Sequence, residues 1–310
     1  MRNRLLYFFL IFFLALGFSC KEKKGKEEVD TPASGTIHIS VDESFRPVIE
    51  EEIKLYESTY PGAKIVASYK PESACFQDFL KDSATRMAII THGLNFKESQ
   101  YLSDSLGYRP KWQRVATDAV CIIVNMKSTD TLFTQERLAM QLQGKGNRNQ
   151  VMVFDGLRET GAVRFIRDSI LKGANFDTSV VKAAENSDEV IDYVKNNENA
   201  IGFVGISWIG NPEDSNQVND LKKVKLGYVQ CKICDGKPFI KPSQQSILSR
   251  SYPLVRGLYF LLRENRIGLG TGFAGFLQME RGQLIFRRAY LGPEMDFDIR
   301  PVQLNTKLPQ

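Results

Sequence analysis

The chain reads as an α/β protein, a parallel sheet with helices packed against it. Two observations carry that expectation. From residue 35 onward, apolar runs of strand length alternate with amphipathic runs of helix length, and the first five follow a β-α-β-α-β order. A composition of 43% apolar and 25% charged residues over 310 positions fits a globular body with room for two domains.

The first strand is "GTIHISV" (35–41), and the helix after it, "SFRPVIEEEIKLYESTYPG", stops at Pro61-Gly62. "AKIVASY" is the second strand, "SACFQDFLKDSA" the second helix and "RMAIITHG" the third strand. "DAVCIIVN" is expected as a long buried strand, followed by a helix at "TQERLAMQLQG" and a strand at "QVMVFD". Helices are expected at "AVRFIRDSILKG" and "SDEVIDYVKNNEN", then a strand at "AIGFVGIS". "SYPLVRGLYFLLR" is a second long buried strand, and "GLGTGFAGFLQMERGQLIFRRAYL" a single closing helix.

The N-terminus carries processing signals. Arg2 and Arg4 precede an apolar run from Leu5 to Phe18, too short to span comfortably, so residues 1–20 read as a signal peptide. Cys20 at its end resembles a lipobox cysteine, and lipid on Cys20 would hold the mature protein to a membrane on the periplasmic side of the cell envelope. Residues 21–35 form a charged tether unable to bury a core, which places the start of the folded body near Thr36.

A net charge of +5, with basic and acidic residues interleaved, gives no nucleic-acid face. Two histidines argue against a His-rich metal site, and no metal or cofactor is expected. His38 alternates on a strand as a structural residue, and His92 is a candidate for a cleft rim. Cys121, inside "AVCIIV", reads as a small buried hydrophobe. "CKIC" lacks a second CxxC or a nearby His, and sits between two strands expected to turn at Asp235-Gly236. Strand alternation would send Cys231 and Cys234 to opposite sides, and their oxidation state and that of Cys75 stay open. Nucleophile-elbow, HExxH and Walker patterns are missing, so a binding protein is expected rather than an enzyme.

Open α/β sheets bind ligands beyond the C-terminal ends of their strands. Three strand-to-helix loops stand there: 41–47, 69–76 and 153–163. Each holds a hydroxyl residue placed like an N-cap, namely Ser44, Ser73 and Thr160. Asp42 and Glu43 crowd the first loop and are expected as solvated charges turned outward.

Several segments, in order, resemble the phosphate-binding, PstS-like proteins of ABC transporters. They are "SFRPVIEEEIKLYESTYPGAKI", "THGLNFKE", "VATDAVCIIVN", "TGAVRFIRDSIL", "SDEVIDYVKNNENAIGFVGIS", "SYPLVRGLYFL" and "FAGFLQMERGQLIFRRAYLGP". The resemblance implies a type II periplasmic-binding-protein-like fold, two lobes joined by a hinge of two crossing strands. One lobe would comprise residues 36–118 plus 252–310, the other residues 119–251. It implies a cleft that holds phosphate or a related oxyanion, a permease of an ABC importer as partner, and a monomer. Carried over residue by residue, the ligand positions are Ser44, Phe45, Ser73, Thr91, Arg158, Thr160, Gly161 and Ala162. The family's last hydroxyl is Ala162 here, its Asp after the third strand is replaced around Thr91-His92, and its Arg four residues before Thr160 has no counterpart in register. Arg158 lies nearer the junction as a substitute, whereas Arg164 falls inside the helix. The second reading keeps the fold and drops transport: an envelope sensor or protein-interaction module with another ligand.

Overall fold

In the computed structural model, which describes residues 30–156 and 160–295, the first half begins with β1 (Ser34–Asp42), α1 (Arg46–Thr59), β2 (Gly62–Lys70), α2 (Glu72–Lys81) and β3 (Thr85–Ile90). β1 pairs parallel with both β2 and β3, as the β-α-β-α-β order requires. α3 (Phe96–Leu106), a helix the periodicity did not single out, is closed at both ends: Asn95 and Glu98 form a capping box, and Gly107 ends it at φ +74°.

β4 (Lys111–Asn125) is longer than "DAVCIIVN" alone. Beyond it run β5 (Leu132–Phe133), α4 (Gln135–Leu142), β6 (Val151–Asp155), α5 (Gly161–Ser169), β7 (Val181–Ala184), α6 (Ser187–Asn196) and β8 (Ala200–Gly205). Shorter pieces follow: α7 (Ser215–Leu221), β9 (Val224–Leu226), β10 (Tyr228–Gln230), β11 (Phe239–Ile240) and α8 (Gln244–Leu248). The chain returns through β12 (Val255–Leu262), then α9 (Leu269–Gln278), α10 (Glu280–Arg288) and β13 (Gly292–Pro293).

The main sheet runs β2-β1-β3-β12-β4-β8-β6-β7. β4 changes partner along its length, facing β12 from Lys111 to Ala119 and β8 from Val120 to Val124. Its second half is entirely apolar and buried up to Asn125, because it has strands on both edges and side chains packed on both faces. Phe154 and Phe203 stack at 4.3 Å between β6 and β8, and Tyr56, Phe273 and Phe276 pack edge to face under α1.

Three expectations need correction. The closing helix is two helices, because Met279 adopts an extended backbone (φ −89°, ψ 166°) between them. The folded body begins by Asp30, ahead of Thr36, because the Asp30 carboxylate is anchored: it accepts from Arg86 Nη2 at 2.9 Å, from the Leu269 N–H at 2.7 Å and from Arg266. Cys231 and Cys234 are joined in a disulfide. β10 ends at Gln230, so strand alternation does not apply to them, and the turn closes through Gly236 at φ +70°. Cys75 and Cys121 are buried free thiols. The signal peptide and Cys20 lie outside the described residues; among the described residues no helix is long and apolar enough to cross a membrane.

Asp30 also supplies a first test. Burial opposes its charge, but the hydrogen bonds from Arg86, Leu269 and Arg266 hold its carboxyl well below the usual carboxylate range. Its contribution is therefore present at neutral pH and lost as pH falls below the ordinary Asp range. Asp30→Asn is expected to lower Tm at pH 7 by several degrees, a loss of about 1–3 kcal/mol, and to converge with the wild type in strong acid. A thermal melt series over pH checks it.

Candidate functional site

The C-terminal ends of β1, β3 and β6 and the starts of α2 and α5 meet at one edge of the sheet, where parallel α/β sheets place their ligands. β1 delivers Asp42 and then a 3-10 turn, Glu43–Phe45. Asp42 is 0% exposed and Glu43 6%, which overturns their expected outward orientation. Both have inward partners. Asp42 Oδ1 caps the turn by accepting the Ser44 N–H at 3.2 Å, and its Oδ2 accepts the Gly161 N–H at the start of α5 at 3.1 Å. Glu43 accepts from Ser187 Oγ at 3.2 Å.

Of the three hydroxyls expected as caps, only Thr160 is one: its Oγ1 accepts from the Val163 N–H at 3.3 Å. At the first junction Phe45 holds the N-cap of α1, and Ser44 Oγ instead donates to Asp155 Oδ2 at 2.9 Å. At the second, Pro71 holds the N-cap of α2 in extended backbone, so Ser73 falls one residue inside the helix, half-buried and without a side-chain hydrogen bond among the described residues. Glu72 takes the inward place that Ser73 was assigned.

Asp155, at the end of β6, gathers hydroxyls from three elements. Its Oδ1 accepts from Thr160 Oγ1 at 2.8 Å; its Oδ2 accepts from Ser44 Oγ and from Ser187 Oγ at 3.3 Å. Glu72 makes a second node. It accepts from the Thr91 N–H at 2.9 Å and Thr91 Oγ1 at 2.7 Å, and the Arg164 fork reaches it at 3.1 Å and 2.9 Å. Arg164 lies in the first turn of α5 and crosses back to β3, donating to Thr91 Oγ1 at 2.7 Å as well. His92 stands at the edge of this node, its Nε2 3.7 Å from Glu72. Ala162 is fully buried. Arg158 lies outside the described residues.

The cation at the centre comes from β12. Arg256 sits directly across from Asp118 of β4 in the antiparallel register, and its Nε donates to Asp118 Oδ2 at 2.7 Å. Its side chain is 2% exposed and its guanidinium lies 4.8 Å over the Phe45 ring. Among the described residues Nη1 and Nη2 have no hydrogen-bond partner. A Cβ on Gly161 would run into Asp42 Oδ2, with Thr91 Cγ2 at 2.8 Å and Arg256 Nη1 at 3.0 Å, so only glycine lets these groups converge on the helix start.

Five carboxylates and two guanidinium groups thus share one buried region: Asp42, Glu43, Glu72, Asp118 and Asp155 against Arg164 and Arg256. Burial, with repulsion from Glu72 and Asp155, pushes the Asp42 carboxyl well above its usual range. Burial also raises Asp118 despite the adjoining Arg256. It works against the charge on Arg256 too, but Asp118, Asp42 and Asp155 more than offset it and raise its pKa. Among the described residues no three or more His, Cys, Asp or Glu side chains are placed to hold a metal ion.

Sequence reasoning passed over Glu72, Asp118, Asp155, Ser187 and Arg256. The signal for one of them was available: Arg256 is the one charge within the otherwise apolar strand β12 (Val255–Leu262).

Comparison with known proteins agrees with this architecture. The phosphate-binding protein PstS of Staphylococcus saprophyticus is 23% identical over 276 residues, which cover 84% of this chain and 78% of that protein. A phosphate-bound putative phosphate ABC transporter substrate-binding protein from Clostridium perfringens superposes with a TM-score of 0.68 at 20% identity, over 84% of this chain and all of its own. An ABC-type phosphate transport receptor from Vibrio cholerae does so with 0.61 at 17% identity, over 82% and 98%. Those two identities speak to fold alone, which is that of binding proteins. The family model for the PBP superfamily domain matches residues 26–281, and on that match the chain belongs to the PBP superfamily.

Proposed function

We propose that this chain captures inorganic phosphate or a closely related oxyanion for an ABC importer; the names of the relatives above, a phosphate-binding protein and two phosphate ABC transport proteins, support the reading. One observation carries the reading. The donors at the sheet edge already converge on carboxyl oxygens: the Gly161 N–H on Asp42, and the hydroxyls of Ser44, Thr160 and Ser187 on Asp155. A helix N-terminus plus several hydroxyls is the donor set a tetrahedral oxyanion needs, and here internal carboxylates occupy it. Ser44, Phe45, Thr91, Thr160, Gly161 and Ala162 are proposed as the ligand-side residues.

Two lobes, 36–118 plus 252–310 and 119–251, fit this role. Support for the boundary comes from β4, which leaves β12 after Ala119 and joins β8 at Val120. Asp42, Ser44 and Glu43 would then close against Asp155, Gly161 and Ser187 across a hinge. The periplasmic location, the lipid anchor on Cys20, the monomeric state and the absence of catalysis belong to the same reading.

Phosphate at 100-fold excess over its Kd is expected to stabilise the purified protein by about 2.7 kcal/mol, raising Tm on the order of 5 °C. No rise with phosphate, arsenate, sulfate or molybdate would remove the oxyanion reading.

A further inference from the structure

Among the described residues the buried Arg256 fork is left without an acceptor, although several carboxylates stand near it; Asp118 Oδ1 and Glu43 Oε1 are likewise without a donor. Its orientation is fixed on two sides, by Asp118 at Nε and by the Phe45 ring beneath it. The edge that remains, Nη1 and Nη2, is buried and unpartnered among the described residues. Nη1 faces the start of α5, 3.0 Å from where a Cβ on Gly161 would stand. The nine-residue helix α5 presents its Gly161 N–H at the same point, where Asp42 Oδ2 accepts it at 3.1 Å. A guanidinium edge and a helix start aimed at one spot select a planar or tetrahedral oxyanion, because both offer N–H donors and positive potential.

We propose that Arg256 is the cationic ligand-binding residue of this protein, and that the bound oxyanion takes the seat that Asp42 Oδ2 holds against Gly161 in this structure. The inference rests on the oxyanion reading and adds its specificity element. In the resembling family the Arg stands four residues before the hydroxyl at position 160, which is Gly156 here. This chain brings the charge in from the return strand β12 instead. Asp42 is suited to give up the seat, since Glu72 and Asp155 repel it there. An incoming oxyanion satisfies both open Nη groups and frees Asp42 toward Ser44, whose N–H it already accepts.

The test is calorimetric titration of the purified protein with inorganic phosphate at pH 8, with folding of each variant checked by circular dichroism. Arg256→Gln is expected to weaken binding by about 100-fold or more, and Arg256→Lys to recover part of that loss. Asp42→Asn is expected to tighten binding by about tenfold, since it removes the acid that competes for the seat. Should Arg256→Gln fail to fold, Asp118→Asn/Arg256→Gln removes both charges together and is read against Asp118→Asn alone, the same 100-fold gap being expected. A folded Arg256→Gln variant, or failing it the double variant against its control, with affinity within about threefold overturns the clamp. Weaker binding by Asp42→Asn overturns the seat. Wild-type protein that binds none of the four oxyanions overturns the functional reading and this inference together; wild-type binding with an indifferent Arg256 overturns this inference alone.

Discussion

Replacing Asp118 with alanine is expected to lower the free energy of unfolding by about 3–5 kcal/mol. Asp118 and Arg256 face one another across β4 and β12, 0% and 2% exposed at their side chains, with Nε 2.7 Å from Oδ2. Removing the acid leaves a guanidinium in the interior without Asp118, its hydrogen-bonded partner, and among the described residues two of its nitrogens already lack acceptors. Asp42 and Asp155 act on Arg256 only through the field, so they soften the loss without replacing the bond. Removing both charges is a different experiment. Asp118→Leu/Arg256→Met exchanges the pair for apolar groups of similar size and is expected to fold with stability within about 1–2 kcal/mol of the wild type, because it abolishes two desolvation costs along with one attraction. Urea denaturation followed by circular dichroism separates the cases. A loss of less than about 1 kcal/mol for Asp118→Ala would mean that the surrounding carboxylates, and not Asp118, neutralise Arg256.

That pair also shows where the sequence was legible and where it was not. The alternation of strands and helices could be read because each element satisfies its own period: "AKIVASY" alternates, and α1 repeats its apolar residues at Val48, Ile49, Ile53 and Tyr56. Thr160 could be read as a cap because capping is local. Ser44 and Ser73 could not be settled that way, since Phe45 and Pro71 hold the caps beside them. Arg256 drew no attention in its apolar strand, because its meaning depends on Asp118, 138 positions away and brought opposite by strand register alone. Asp42 and Glu43 misled for a related reason. Two acids in a loop read as solvated, and only residues more than a hundred positions later supply the Gly161 N–H and the Ser187 hydroxyl that draw them in. The break at Met279 left no mark, because neither glycine nor proline stands at 278–280 to interrupt the period.

The second large effect is a fall in stability with rising pH, traceable to Glu43. Burial, with repulsion from Asp155, pushes its carboxyl up from 4.5 to about 7, while Arg46 and the Ser187 hydroxyl hold it from going further. The folded protein therefore binds a proton between about pH 4.5 and pH 7 that the unfolded chain has released. Stability from this group is full below the unfolded pKa and is lost as pH rises through the folded one. Over that window the loss amounts to roughly 3 kcal/mol. Glu43→Gln is expected to flatten the slope of unfolding free energy between pH 4.5 and pH 7 and to leave the variant the more stable form at pH 8. Urea titrations at several pH values check this, and a wild-type slope that survives the substitution would clear Glu43 of responsibility. The position of Glu43 says which part of the molecule feels the charge. It lies in the turn after β1 and meets Ser187 at the start of α6, beside Asp155 at the end of β6. Charging it sets two carboxylates against each other across the junction that the proposed hinge would close. Part of the loss is then expected to show as faster amide exchange at Glu43–Phe45 and at the starts of α5 and α6, ahead of any change in the β4–β8 core.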